Sequence, residues 1–144
     1  MTGDPAVAVV ARHGSRCGMD YDDAMAMMEK RRAAWLRQDV EAYVSLFSED
    51  FAFSDGVEQV RGRVAWEQVI RANNERSSPI SWEFHDVAVH GSNILAEWTV
   101  TIEPKGTGAT LSLHGMSISE ARDGVFTSHH EYRWPIEPQD APAA

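Results

Sequence analysis

Asp55 is the residue whose type and position best suit proton transfer. It follows the alternating apolar segment at residues 51–53, and a carboxylate held in an apolar pocket has its pKa raised towards the range of a useful general base. It also precedes Gly56, and aspartate is a common residue at the start of a turn. The sequence leaves both interpretations open, a catalytic base and a turn residue.

The segment at residues 125–134 supplies a second set of candidates. Its more apolar alternate positions are Phe126, Ser128, His130, Tyr132 and Trp134. Successive side chains of a strand point to opposite faces, so we expect His130 and Tyr132 to face the interior unless a bulge shifts the register. The near-neutral pKa of an unperturbed histidine suits a general acid or base. A histidine in a strand is, however, more often a polar filler.

His114 and His85 are additional candidates, but the histidine spacing does not favour a metal site. No HxH or HExxH pattern occurs, and the adjacent His129 and His130 point to opposite faces of one strand. The only cysteine, Cys17, excludes an intrachain disulfide and a cysteine-built metal site. No G-x-S-x-G elbow is present, and residues 106–108 lack the context of a phosphate loop. We therefore expect no metal and no cofactor.

Composition and charge narrow the class of protein. The chain has 144 residues, of which 43% are hydrophobic and 24% charged, which fits one globular domain. The net charge of −9 disfavours nucleic acid and anionic membrane surfaces as partners. No apolar run approaches the ~20 residues of a membrane span, and the short run at residues 6–11 lacks the basic leader of a secretory signal. A cytoplasmic location is the default expectation.

The first half of the chain predicts helices. Residues 20–38 form one helix with its buried face at three- and four-residue steps, interrupted by Arg31 and Arg32. Asp39 is the expected N-cap of a second, shorter helix. After a short strand at residues 51–53, a third helix follows the turn at Gly62 and ends at residues 77–79.

The second half predicts strands, at residues 81–90, 94–103, 111–121 and 125–134. The apolar parity shifts at Gly115, which indicates a bulge there, and Asp123-Gly124 is a hairpin signal. Helices followed by long antiparallel strands give an α+β domain, expected over residues 19–134. Residues 1–18 and 135–144 are expected to be a flexible arm and tail.

Two segments resemble the nuclear-transport-factor-2-like fold, and within it the SnoaL-like group of polyketide cyclases, ketosteroid isomerases and limonene-epoxide hydrolases. They are residues 38–62, QDVEAYVSLFSEDFAFSDGVEQVRG, and residues 115–134, GMSISEARDGVFTSHHEYRW. The resemblance spans residues 21–134 and implies a cone, with three N-terminal helices on a strongly curved antiparallel or mixed sheet that encloses one pocket. It also places Asp55 where the isomerases carry their general base.

The resemblance departs from its best-known members at their other catalytic positions. The two oxyanion donors of the isomerases correspond to Arg31 and Met116, neither of which is a neutral hydrogen-bond donor of the required kind. Arg31 could stabilise an oxyanion by its charge, or could be a surface arginine. The Asp-Arg-Asp set of the epoxide hydrolases is absent from the corresponding strands, which read Ala96-Glu97-Trp98-Thr99 and Tyr132-Arg133-Trp134.

Taken with the resemblance, these residues predict a cofactor-independent acid–base enzyme, an isomerase, cyclase, lyase or dehydratase. Its substrate would be a small apolar molecule bearing a carbonyl or hydroxyl group, such as a polyketide or steroid-like compound. Asp55 would be the base, His130 or Tyr132 the acid or orienting group, and Arg31 a further catalytic residue. The expected pocket wall consists of Trp35, Phe53, Trp66, Trp98, His114, Met116 and Trp134. The alternative is a binding or dimeric assembly module that turns nothing over.

A homodimer joined through the outer face of the sheet is also expected. Members of this fold commonly pair in this way, and a sheet covered by helices on one side leaves its other face open. The predicted outer face carries Ser117, Ser119, His129, Glu131 and Arg133. Because that surface is polar, the dimer is expected to weaken on dilution.

Overall fold

The computed structural model describes residues 18–136. Its elements are α1 (Tyr21–Leu36), α2 (Val40–Val44), β1 (Phe47–Ser54), β2 (Gln59–Arg61), α3 (Arg63–Arg76), β3 (Ser77–His90), β4 (Asn93–Pro104), β5 (Leu111–Arg122) and β6 (Val125–Pro135). The predicted arm and tail therefore fall outside the described residues, apart from Gly18 and the last two described positions, Pro135 and Ile136.

The strands form one curved, unclosed sheet of six, in the order β2-β1-β6-β5-β4-β3. β1 runs parallel to β6, and every other neighbouring pair is antiparallel. This is the α+β architecture that the sequence predicted. The three expected helices are present, but α3 follows β1 and β2, so only α1 and α2 precede the sheet in the chain.

Aspartate N-caps start the first two helices. Asp20 accepts a hydrogen bond from the backbone N–H of Asp23 at 2.8 Å, and Asp39 accepts one from that of Ala42 at 3.1 Å. These bonds satisfy N–H groups that have no partner inside the helix, and the second confirms the predicted cap. Arg31 does not interrupt the buried face of α1 but belongs to it, with Ala24, Met28 and Ala34.

The register of β5 differs from the prediction. β5 pairs with β4 without a break through Gly115, which lies opposite Trp98, so the predicted bulge at this position is wrong. A Cβ at Gly115 would lie 2.4 Å from the Trp98 ring. The glycine is therefore required by the close approach of an indole, and not by a bulge.

The irregularity lies instead at the start of β6. Glu120 pairs with Ser128 and Ala121 pairs with Phe126, so Thr127 is an extra residue between them. A bulge of one residue places Phe126 and His129 on the same face of the sheet. We call the face packed against the helices the inner face, and the opposite one the outer face.

Aromatic residues fill the core between the helices and the inner face. Phe47, Phe51 and Phe126 are completely buried, and Phe47 lies with its ring centroid 4.5 Å from that of Phe51 and 5.7 Å from that of Trp66. Such tilted and edge-on ring contacts add to the free energy of apolar burial. Among residues 18–136, no helix is long and apolar enough to cross a membrane.

Candidate functional site

A cavity of about 1020 Å³ lies between α1, α3 and the inner face. A second cavity of about 880 Å³ lies between the start of α1 and the β5–β6 turn, so the expectation of one pocket is not confirmed. The second cavity contains none of the predicted site residues. The larger one contains aromatic side chains together with buried ionisable groups, which is the usual character of a ligand site.

Four of the seven predicted wall residues line this cavity, namely Trp35, Phe53, Trp66 and Trp98. Trp66 stacks on Phe53 with their ring centroids 4.8 Å apart, and Trp98 donates its indole N–H to Ser117 at 3.1 Å. These contacts fix the rings against the sheet, so the apolar wall is formed before any ligand arrives.

The other three predicted wall residues, His114, Met116 and Trp134, lie on the outer face, so their predicted placement is wrong. Met116 is 55% exposed and Trp134 is 48% exposed. His114 lies opposite Trp134 in the β5–β6 pair, and its Nδ1 is hydrogen-bonded to Thr99 Oγ1 at 3.1 Å. For Met116 the cause is the unbroken β5, because the expected bulge at Gly115 would have turned it inward. Trp134 points outward because the register of β6 shifts near its start.

The predicted facing of β6 is likewise inverted. His130 and Tyr132 point to the outer face, where Tyr132 is 59% exposed and His130 bonds to Ser54. His129 and Glu131, only 3% and 7% exposed, point inward, and with Arg133 they line the cavity. The bulge at Thr127 explains the inversion. Phe126 points inward as expected, but the extra residue reverses which of the following positions point inward.

The registers of β5 and β6 together correct the predicted outer face. Ser117, Ser119, His129, Glu131 and Arg133 were expected there. Ser117 and Ser119 are buried on the inner face, at β5 positions paired with Glu131 and His129 of β6. These five residues therefore cannot form an outer contact surface.

A chain of hydrogen bonds and ion pairs runs along the inner face from Ser119 to Asp55. Ser119 Oγ lies 2.7 Å from His129 Nδ1, and His129 Nε2 lies 3.2 Å from Glu131 Oε1. Arg133 then bridges two carboxylates, with one nitrogen 3.3 Å from Glu131 Oε2 and the other 3.3 Å from Asp55 Oδ2. A single guanidinium thus joins two carboxylates at the cavity wall, Glu131 of β6 and Asp55 of the turn after β1.

The protonation state of His129 follows from its partners. Arg31 lies 3.3 Å from His129 Nδ1, and because a guanidinium only donates, Nδ1 must be the acceptor. The ring proton therefore sits on Nε2 and is donated to Glu131. Burial, and secondarily the charge of Arg31, lowers the pKa of His129 despite the raising influence of Glu131. His129 is neutral at physiological pH.

Both carboxylates of this hydrogen-bonded network, those of Glu131 and Asp55, are ionised. Burial raises the pKa of Glu131, but the hydrogen bond from His129 and the charge of Arg133 outweigh it, so this pKa lies below its ordinary value. Burial also raises the pKa of Asp55, but hydrogen bonds from the backbone of Glu58 and Val57 and the charge of Arg133 lower it overall. The raised Asp55 pKa expected from the sequence is therefore wrong.

Asp55 combines the two roles that the sequence left open. Its Oδ1 accepts the backbone N–H groups of Val57 and Glu58 at 3.0 and 2.7 Å, which makes it a turn residue. Its Oδ2 faces Arg133 at the cavity wall. The turn holds the carboxylate in place, and one oxygen remains directed at the site.

Arg31 occupies the cavity floor and is 3% exposed, so the surface-arginine interpretation is wrong. Its guanidinium carbon lies 5.2–5.8 Å from the centroids of four aromatic rings, those of Tyr43, Phe47, Trp82 and Phe126. Its Nε donates to the Tyr43 hydroxyl at 3.1 Å. Within residues 18–136, no carboxylate lies within 4.0 Å of this guanidinium.

His129, Glu131, Arg133 and Tyr43 are the site residues that the sequence analysis missed. The first three were assigned to the outer face because they alternate with the more apolar positions of residues 125–134, and Tyr43 was not considered as a site residue. The structure shows why: Gly115 pairs with Trp98, which places Ser117 on the inner face, opposite Glu131. In the described part of the chain, no three His, Cys, Asp or Glu side chains are grouped to hold a metal ion.

The comparisons with known proteins agree with this fold. A TM-score of 0.70 relates the chain to an epoxide hydrolase of limonene-epoxide-hydrolase-like type from Mycobacterium tuberculosis, at 18% identity over 78% of this chain and 84% of that one. A protein with a ketosteroid isomerase-like fold from Catenulispora acidiphila gives 0.67, at 17% identity over 74% and 83%. An NTF2-like protein from Burkholderia xenovorans gives 0.64, at 19% identity over 81% and 93%.

At these identities the solved structures are similar to this chain in fold alone. No curated protein sequence matches the chain. The family model of the SnoaL-like domain matches residues 28–129, a range that begins in α1, ends in β6 and includes Arg31, Asp55 and His129. The chain therefore belongs to the SnoaL-like domain family.

Proposed function

We propose that the protein is a cofactor-independent acid–base enzyme that moves a proton next to a carbonyl group of a small apolar molecule, such as a polyketide or steroid-like compound. The observation that carries this proposal is the placement of ionised Asp55 and Glu131, joined by Arg133, on the wall of an aromatic cavity of about 1020 Å³. All the groups it needs are side chains of this chain.

Asp55 is the proposed base. Its Oδ2 removes a proton from the carbon beside the carbonyl, so the C–H bond breaks, the proton passes to the carboxylate and the electron pair moves to the carbonyl oxygen as an enolate. The turn hydrogen bonds and Arg133 hold the carboxylate in one orientation, which lowers the entropic cost of the step. Return of the proton to another carbon completes an isomerisation.

The remaining groups bind the substrate and stabilise the charge. The rings of Trp35, Phe53, Trp66 and Trp98 pack against its apolar part and exclude water, which strengthens electrostatic interactions inside the cavity. Arg31 places a positive charge at the cavity floor, towards the oxygen that becomes negative. Glu131 keeps Arg133 in place between the two carboxylates.

The test is the exchange of carbon-bound hydrogen for deuterium. A panel of enolisable cyclic ketones of one to three rings, including β-tetralone, is incubated with the protein in heavy water and followed by proton NMR. We expect the protein to accelerate exchange of at least one ketone by more than 100-fold over buffer, within the usual range of general acid–base catalysis. Exchange at the buffer rate across the panel would overturn the enzymatic proposal.

A binding module is the second candidate, and one observation favours it. Both cavity carboxylates have lowered pKa values and are held by hydrogen bonds, which makes them weaker bases than a carboxylate with a raised pKa. Tryptophans on the wall make binding visible as a change in intrinsic fluorescence. Saturable quenching by a ketone that undergoes no exchange is the result expected of a module.

A further inference from the structure

Tyr43 extends from α2 to the cavity, and its hydroxyl accepts a hydrogen bond but donates none to the described residues. The residue is 3% exposed and lines the cavity. Its oxygen accepts a hydrogen bond from Arg31 Nε at 3.1 Å. A guanidinium has no lone pair to offer in return, so the Tyr43 hydrogen must go elsewhere. No acceptor for it is found among the described residues, although buried hydroxyls normally donate as well as accept.

Two other hydrogen-bond donors at the cavity also lack an acceptor among the described residues. The indole N–H groups of Trp66 and Trp82, both on the cavity wall, are buried without a hydrogen-bond partner in the described part of the chain. A buried donor without an acceptor destabilises the folded protein, and an acceptor on a ligand would remove that cost. The cavity therefore has three donors without an acceptor within residues 18–136, the Tyr43 hydroxyl and the two indole N–H groups, which favours a ligand that carries oxygen acceptors.

We propose that the Tyr43 hydroxyl is the hydrogen-bond donor that contacts the carbonyl oxygen of the substrate, and that Arg31 is the positioning residue behind it. This inference rests on the proposed function, since it names the group that receives the charge produced when Asp55 removes a proton. It also narrows the substrate class to molecules whose carbonyl oxygen enters the cavity first and reaches its floor.

Arg31 makes this hydroxyl a stronger donor than an ordinary tyrosine. By occupying a lone pair of the oxygen with a positively charged donor, it polarises the O–H bond. Four aromatic rings and His129 hold the guanidinium in place. As the enolate forms, its oxygen gains negative charge and the hydrogen bond from Tyr43 strengthens, while the proton stays on Tyr43.

The hydroxyl also keeps its proton over the working pH range. Burial raises the pKa of Tyr43, and the opposing influence of Arg31 does not cancel this increase. The group is therefore a neutral donor at physiological pH. A neutral donor fixed before the reaction gains strength as charge develops and requires no reorganisation.

The test uses β-naphthol, whose ionised form carries an oxyanion on a flat apolar ring system, and its methyl ether, which cannot ionise. Binding of each is measured by fluorescence titration between pH 7 and 10 to the full-length protein, to Tyr43→Phe and to the exposed control Tyr132→Phe. We expect the wild type and Tyr132→Phe to bind the naphtholate at least 10-fold more tightly than the ether. Tyr43→Phe should lose this preference while binding the ether unchanged.

Arg31 is tested by the same preference, which a purely structural role would not change. Arg31→Met should reduce the preference for the naphtholate, and Arg31→Lys, which retains a charge, should restore part of it. In the exchange assay, Tyr43→Phe should lower kcat by about 100- to 1,000-fold, the loss typical of one oxyanion donor, with KM changed less than threefold.

Two results would overturn the inference, namely a wild type that does not prefer the naphtholate, and a Tyr43→Phe variant that keeps the preference. The naphthol assay requires no turnover, so its outcome is separate from that of the proposed enzyme. Ketone exchange that survives Tyr43→Phe at the full rate would reject Tyr43 as the donor and leave the assignment of Asp55 intact.

Discussion

Arg133 is the residue that makes one site out of two carboxylates. Its guanidinium contacts Asp55 and Glu131 at 3.3 Å each, and its charge helps to keep both ionised. Burial alone would raise both pKa values and protonate the carboxylates at higher pH. The wall of the cavity is therefore charged because of an ion-pair network. Substitution of one member should change the pKa values of the others.

Arg133→Gln should raise the pKa of Asp55. The substitution removes a positive charge beside Oδ2 and leaves the turn hydrogen bonds to Oδ1 in place. Titration followed by carboxyl-carbon NMR should give a value below 3.8 in the wild type and a higher one in the variant. Arg122→Gln is the control, since Arg122 pairs with Glu120 at the surface. An unchanged Asp55 titration in Arg133→Gln would contradict the network.

His129 should make the protein less stable in mild acid. Its folded-state pKa lies below the ordinary value of 6.5, so between these two values the unfolded chain binds more protons and stability falls as pH falls. The free energy of unfolding should decrease as the pH falls below 6.5, by at most ~1.4 kcal/mol per pH unit from this one group. Urea denaturation of His129→Gln should show a shallower slope, and the exposed control His90→Gln should not.

At the level of elements, the periodicity of apolar residues predicts the helices and the number of long strands. It does not predict which side chains of β5 and β6 point to the inner face. The apolar residues at alternate positions of these strands include Met116, Tyr132 and Trp134. Their pattern is typical of a cavity wall, but all three are exposed. Alternation identifies two different faces, and it does not say which one the helices cover. The bulge at Thr127 has no glycine or proline to mark it, so the sequence contains no local signal for the change of parity.

Gly115 should be intolerant of any side chain. A Cβ at this position would lie 2.4 Å from the Trp98 indole, so Gly115→Ala must displace that ring towards the cavity. Overpacking of this kind costs about 1–3 kcal/mol, measurable by chemical denaturation. The double variant Gly115→Ala/Trp98→Phe should recover part of the loss relative to the two single variants, because the smaller ring relieves the contact. Full stability of Gly115→Ala would contradict the packing of the inner face.

For the molecule as a whole, the resemblance of two short segments is enough to predict the family and the α+β fold, because helix caps, turns and core positions are local features. Asp55, Trp66 and Trp98 could be placed in the cavity for the same reason. The buried network could not be predicted, since Glu131 and Arg133 are polar residues whose burial depends on partners from distant parts of the chain.

The proposed homodimer must now use different residues of the outer face. The outer surface of β4, β5 and β6 carries exposed Leu95, Met116, Ile118, Tyr132 and Trp134, and neighbouring members pair across the ladders. A contiguous apolar patch is characteristic of an interaction site. We propose that a second copy of the chain covers this patch through a twofold contact.

Trp134→Glu should dissociate the proposed dimer into monomers. The substitution places a charge at an apolar contact that would be buried twice in a symmetric pair. Sedimentation equilibrium at high micromolar concentration should give twice the monomer mass for the wild type and for Val64→Glu, an exposed position on α3, and the monomer mass for Trp134→Glu. A monomeric wild type would reject the dimer, and a dimeric Trp134→Glu would reject this face.

The rate of ketone exchange in Asp55→Asn tests the central claim most directly, because this variant keeps the shape of the side chain and removes the base, together with its ion pair to Arg133. It is compared with the wild type and with Asp50→Asn, the same chemical change at an exposed position of the preceding strand. We expect Asp55→Asn to lose at least 100-fold in kcat, as removal of a general base does, while the melting temperatures stay close and Asp50→Asn retains the wild-type rate. Exchange by Asp55→Asn at the wild-type rate would contradict the account.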